Sequence, residues 1–162
     1  MKLRLVDPEF RVDLSIATAA EPIKFAAIFR RVGRQEQKRL LGEINGWDYA
    51  GDPDGAMKQQ ENLIVDLLIR FEDLPLEEDE DATGQVSGAV KTLMRSVVER
   101  RIGEAYRSDE VNAGVEELLQ NDEAVLRFES IVAVLDDPLF FTKTLNAAMR
   151  SVMEAGLERS KN

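Results

Sequence analysis

Neither cysteine nor histidine occurs anywhere in the 162 residues. Thiolate nucleophiles, disulfides, zinc or iron–sulfur sites built on Cys or His, Ser-His-Asp relays and histidine pH switches are therefore excluded together. Long apolar runs are missing as well, and nothing approaches the roughly 18 residues that make a membrane-spanning candidate. The opening Met1-Lys2-Leu3-Arg4-Leu5 alternates instead of forming the apolar stretch of a secretory signal, so a reducing cytoplasm is the expected home. Phosphate-cradling glycine patterns are also lacking: Gly33, Gly42 and Gly46 fit neither P-loop nor dinucleotide-binding spacing.

What is present describes a folding chain. Hydrophobic residues make up 44% and charged residues 32%, a globular balance, and the length matches one domain able to bury a core without disulfides or metals. A formal charge of −10 repels nucleic-acid phosphates over the surface as a whole and favours basic or apolar protein partners.

The pattern predicts an α+β fold, with a mainly α-helical body and a small N-terminal antiparallel β-meander. Within residues 1–32, period-two alternation marks three strands: one at Leu3 and Leu5, one at Val12, Leu14 and Ile16, and one at Ile23, Phe25, Ala27 and Phe29. From Arg34 the period changes to 3.6. Leu40, Leu41 and Ile44 stripe a helix ending at Asn45-Gly46, and Ile64, Leu67, Leu68 and Phe71 stripe a second, stopped at Leu74-Pro75, so 34–74 reads as helical. Residues 75–84 form an acidic linker, 85–120 a helical insertion, and 122–158 the C-terminal helices, the last opened by Asp136-Asp137-Pro138.

Several clusters suggest chemistry, and each has a plainer reading. Asp79-x-Asp81-x-Thr83-Gly84 begins like a calcium loop, but Val90 stands where the bidentate glutamate belongs. Asp48, Asp52 and Asp54, beside Gly51 and Gly55, offer carboxylates for a divalent cation, yet Asp-Pro-Asp-Gly is also an ordinary turn. Carboxylate pairs such as Glu61 with Asp66 arise freely among 31 acidic residues. Arg30, Arg31, Arg34, Lys38 and Arg39 form a basic cluster at the strand-to-helix junction, read best as its polar face. No metal ligand set and no cofactor site emerges. Trp47, Tyr49, Phe140 and Phe141 are aromatic anchors of the kind used at interfaces.

Taken in order, these features resemble the tail assembly chaperones of long-tailed bacteriophages and prophages. Members of that family typically begin with a β segment ending in a Lys-Phe-x-x-x-Phe-Lys/Arg-Arg-Leu pattern. Lys24-Phe25-Ala26-Ala27-Ile28-Phe29-Arg30-Arg31-Val32 is similar, and a polar helix start at Arg34-Gln35-Glu36 follows. Leu63 to Leu74 followed by Glu77 to Gly84 resembles the family's hydrophobic-ended helix and acidic loop, and Glu158-Arg159-Ser160-Lys161-Asn162 its polar, basic end. The resemblance spans 1–84 and 122–162.

The resemblance implies a non-enzymatic protein that binds the tape measure protein, keeps it soluble, and helps recruit the tail tube protein. It implies action in the host cytoplasm and absence from the mature virion, with self-association left open and no nucleic acid or membrane among the partners. Phe25, Phe29, Phe140 and Met149 are the expected client-binding residues, and no catalytic or metal residue is expected. Two alternatives remain: a structural tail subunit of tube or terminator type, and a carboxylate–metal enzyme at Asp48, Asp52 and Asp54.

Overall fold

A computed structural model of the chain describes residues 8–77, 85–103 and 107–161, the last seven by backbone alone. The elements run β1 (Glu9–Ile16), β2 (Ile23–Arg30), α1 (Arg34–Asn45), α2 (Pro53–Leu67), β3 (Leu68–Glu72), α3 (Gly88–Ile102), α4 (Ser108–Leu119), α5 (Asp122–Leu135) and α6 (Pro138–Lys161). Among the described residues, six helices and one three-stranded antiparallel sheet make the α+β fold with a helical body that the sequence predicts. The chain divides into two compact units, one from the N-terminus to Leu74 together with Pro138 onward, the other Pro75–Asp137.

In the first unit β2 is the central strand, with β1 and β3 antiparallel on either side. Register puts Phe10, Val12, Leu14 and Ile16 beside Phe29, Ala27, Phe25 and Ile23, so a single apolar face runs across the hairpin. Helix α6 packs on β1 and β2.

The expected strand at Leu3 and Leu5 falls outside the described residues. The third strand is instead Leu68–Glu72, where helical spacing predicts a continuation of α2. The reason is a bulge. Ala27 pairs with Phe71 and Ile28 with Arg70, but Phe29 pairs with Leu68, so Ile69 is an extra residue in the ladder. That extra residue turns Leu68 and Phe71 to the same side of the sheet. Their spacing of three, which reads as one face of a helix, is the spacing a bulged strand needs.

The opposite sheet face carries Ala26 and Ile28 at its centre, flanked by charges. Arg11 and Arg70 stand on either side of Ile28, and Asp13 and Glu72 on either side of Ala26. Arg11 reaches over β2 to Glu72, and Arg70 reaches back over it to Glu9, with nitrogen–oxygen distances of 2.9 and 3.0 Å for the second pair. The arginine stems thus cross the central strand, and Ile28 beneath them is only 1% exposed. Mutual pairing raises the pKa of Arg11 and Arg70 and holds the Glu72 carboxyl below the usual carboxylate range, chiefly through its bond from Arg11.

Helices α1 and α2 both pack on α6. Gln37 of α1 donates to the Val152 carbonyl of α6 at 2.8 Å. Arg30, at the end of β2, donates to both carboxylate oxygens of Glu36 at 2.9 and 2.6 Å and to the Asp66 carbonyl at 3.0 Å, so one guanidinium joins β2, α1 and α2. α1 ends at Asn45 and α6 starts at Pro138, where the turn and capping signals place them.

The second unit consists of α3, α4 and α5. Ser87 caps α3 by accepting from the Val90 amide, and Asn121 caps α5 by accepting from Ala124. Arg107 stands at the N-cap of α4, without a side-chain bond. Val90, Leu93, Met94, Val97, Val98, Val111, Phe128, Ile131 and Val134 are buried in these helices. Gly114 lets α4 come close to α3: a Cβ built there would lie 2.7 Å from Val98 Cγ1. The unit extends beyond the insertion expected at 85–120, since α5 packs on α3 and α4.

Candidate functional site

Of the residues expected to contact a client, two are interior. Phe25 is 3% exposed and Phe29 fully buried, both on β2, where strand pairing and α6 leave them no surface to offer. Phe140 and Met149 are half-buried on α6. The Phe140 ring packs against Phe25 with centroids 5.1 Å apart, and Phe71 lies 6.2 Å from Phe25 on centroids. Phe140 therefore belongs to the rim of the core. Phe140 directly follows the exposed Leu139, and Met149 lies one turn before the exposed Met153.

Leu139 is 63% exposed and Met153 60% exposed. Apolar periodicity assigns Met153 to the buried stripe of α6, and the structure corrects this. The buried side comprises Thr144, Leu145, Ala147, Ala148, Ser151 and Val152. It is rotated toward small polar residues because α6 packs on α1, α2 and the sheet together. Ser151 satisfies its hydroxyl on the Ala148 carbonyl at 2.6 Å. What remains outside is a seam: Leu139, Thr142, Asn146, Met149 and Met153 follow each other at alternating steps of three and four, the spacing with which one helix receives another. Hydropathy alone hides this seam, because its middle is polar.

The aspartate loop has a different job. Asp48 accepts from the Gly51 amide at 2.8 Å and Asp52, the N-cap of α2, from the Gly55 amide at 3.0 Å. A Cβ at either glycine would meet the carboxylate that accepts from that glycine's amide, so glycine leaves each aspartate free to keep its bond without a rotamer shift. Among the described residues no group of three or more acidic side chains is arranged to hold a metal ion. The calcium-like Asp79 to Thr83 stretch lies outside the described residues.

The basic cluster is largely engaged within the protein. Arg30 serves Glu36, Arg39 lies 2.8 Å from Glu43, and the Arg31 guanidinium sits 5.3 Å from the centroid of the Phe10 ring. Glu36 is held below the usual carboxylate range by Arg30, the direction opposite to that which makes a carboxyl a general acid near neutral pH. Among the described residues, no helix is long and apolar enough to cross a membrane.

Charge is divided unequally. Residues 75–137 hold 16 acidic and 6 basic side chains, while the rest of the chain holds 15 of each, so the whole net charge of −10 resides in the second unit. No protein-family model, curated protein or solved structure matches the chain.

Proposed function

We propose that the protein is a non-enzymatic tail assembly chaperone of a long-tailed phage or prophage. In this reading it binds the tape measure protein in the host cytoplasm, keeps it soluble, and helps gather tail tube subunits. The observation that carries the reading is the outward seam of α6. Leu139, Met149 and Met153 present apolar surface at helix-receiving spacing on a helix held from behind by α1, α2 and the sheet. A long, partly apolar helical client is what such a seam suits, and a net charge of −10 would keep the loaded complex in solution. The order of segments adds support: strand β2, ending at Arg30, leads into the polar helix start at Arg34, and a closing helix begins at Pro138 after Asp136-Asp137.

Co-expression with the long reading frame encoded just downstream tests the proposal. Soluble recovery and co-purification of that product are expected. A product that stays insoluble beside a well-folded chaperone candidate would favour a structural tail subunit instead.

A further inference from the structure

We infer that the outward face of α5, together with the C-terminal turn of α4, docks a positively charged amphipathic helix of a protein partner. On α5 the exposed side carries Leu126, 58% exposed, flanked by half-buried Val125 and Val132. Asp122 and Glu129 stand on the same side, one turn before and one turn after Leu126. Val125, Glu129 and Val132 follow steps of four and three, again the spacing that receives a helix.

The sign of the rim sets the charge of the occupant. Between Ser108 and Leu135 there are seven carboxylates and one basic residue, Arg127. Among the described residues, none of the seven carboxylates takes part in an ion pair, whereas seven carboxylates of the other unit each pair with an arginine or lysine. Helix dipoles account for Asp109, Glu110, Asp122 and Glu123, which lie in first turns. They do not account for Glu116 and Glu117. Those two lie near the negative end of α4, with no basic residue in its last turn, where a carboxylate is repelled. Glu129 gains nothing from a helix start either. Glu129 stands one turn from exposed Leu126, and Glu116 and Glu117 lie on α4, which packs on α5; such carboxylates around an apolar face are matched by lysines or arginines flanking an apolar stripe.

This inference does not depend on the client's identity, and its test is separate from co-expression. The intact chain is titrated by fluorescence anisotropy with a synthetic helix of leucine and lysine in heptads, and with a twin carrying glutamate for lysine. The lysine peptide should bind, the glutamate twin should not, and affinity should fall as salt rises. Leu126→Ser, and separately Glu116→Gln/Glu117→Gln/Glu129→Gln, should each weaken binding about tenfold or more. Glu21→Gln/Asp54→Gln, exposed in the other unit, should leave it within about twofold. On the unmodified chain, bound peptide should slow amide exchange in α5. Equal weakening by the control pair, unstructured polylysine binding as tightly as the amphipathic helix, or protection confined to residues 8–74 would each overturn the assignment.

Discussion

Two interior positions show how a single atom decides stability in this protein. The Thr144 hydroxyl, fully buried on α6, has no hydrogen-bond partner among the described residues. A buried polar group left unsatisfied costs on the order of 1–3 kcal/mol, so Thr144→Val is expected to raise stability by about 1 kcal/mol in denaturant unfolding. Thr144→Ser, which keeps the hydroxyl and removes a methyl, is expected to lower it. Gly114 presents the opposite problem. Alanine there gains about 1 kcal/mol of helix propensity, but the added methyl meets Val98, a β-branched side chain with little rotamer freedom in a helix. Overpacking typically costs about 1–3 kcal/mol, so the clash wins and Gly114→Ala should lower stability by about 1 kcal/mol. Neither effect is readable from the sequence, because both depend on what another helix places opposite.

The proposed client contact is also decided at this scale. Phe25 and Phe29 stand out in the sequence as aromatic pattern residues, yet alternation on a strand says only that they share a face. Burial in the sheet makes them core. Leu139→Ser/Met153→Ser is the cleaner probe, since both side chains are exposed and their loss should shift unfolding by no more than about 0.5 kcal/mol. Phe140→Ala mixes two effects, because it removes the ring that packs on Phe25.

At the scale of elements, the starts of α1 and α6 and the β1–β2 hairpin were legible because period and capping agree there. β3 was not. Its Leu68 and Phe71 carry helical spacing, and only the need of β2 for a second hydrogen-bonded neighbour, met through a bulge at Ile69, reveals a strand. The junction beside it is pH-sensitive. Because Arg30 holds Glu36 below its usual range, the folded pKa lies under the unfolded value of about 4.3. The pair's contribution is complete above that value and is lost as pH falls through the folded one. Stability should therefore decline on acidification below about pH 5, and Glu36→Gln should flatten that decline while lowering stability at neutral pH by under about 1 kcal/mol, both partners being partly in water. Equal acid slopes in the two proteins would contradict this.

For the whole molecule, total charge was legible and its placement was not. A value of −10 suggests uniform acidity, whereas the division into units leaves residues 1–74 and 138–162 balanced and gives the excess to 75–137. Periodicity reads helices within 85–120, where α3 and α4 lie, but that α5 packs with them no local signal announces. The cross-strand ion pairs over Ile28 should make the sheet more salt-sensitive than the helices, seen as faster amide exchange in β3 at high salt.

The most direct test of the account is a sedimentation assay. The tape measure product is produced alone, with this protein, or with its Leu139→Ser/Met153→Ser variant, and the soluble fraction is measured. The account predicts a mostly soluble, co-purifying product with the unmodified protein and a mostly pelleted one with the equally well-folded variant. Equal solubility in all three would contradict it.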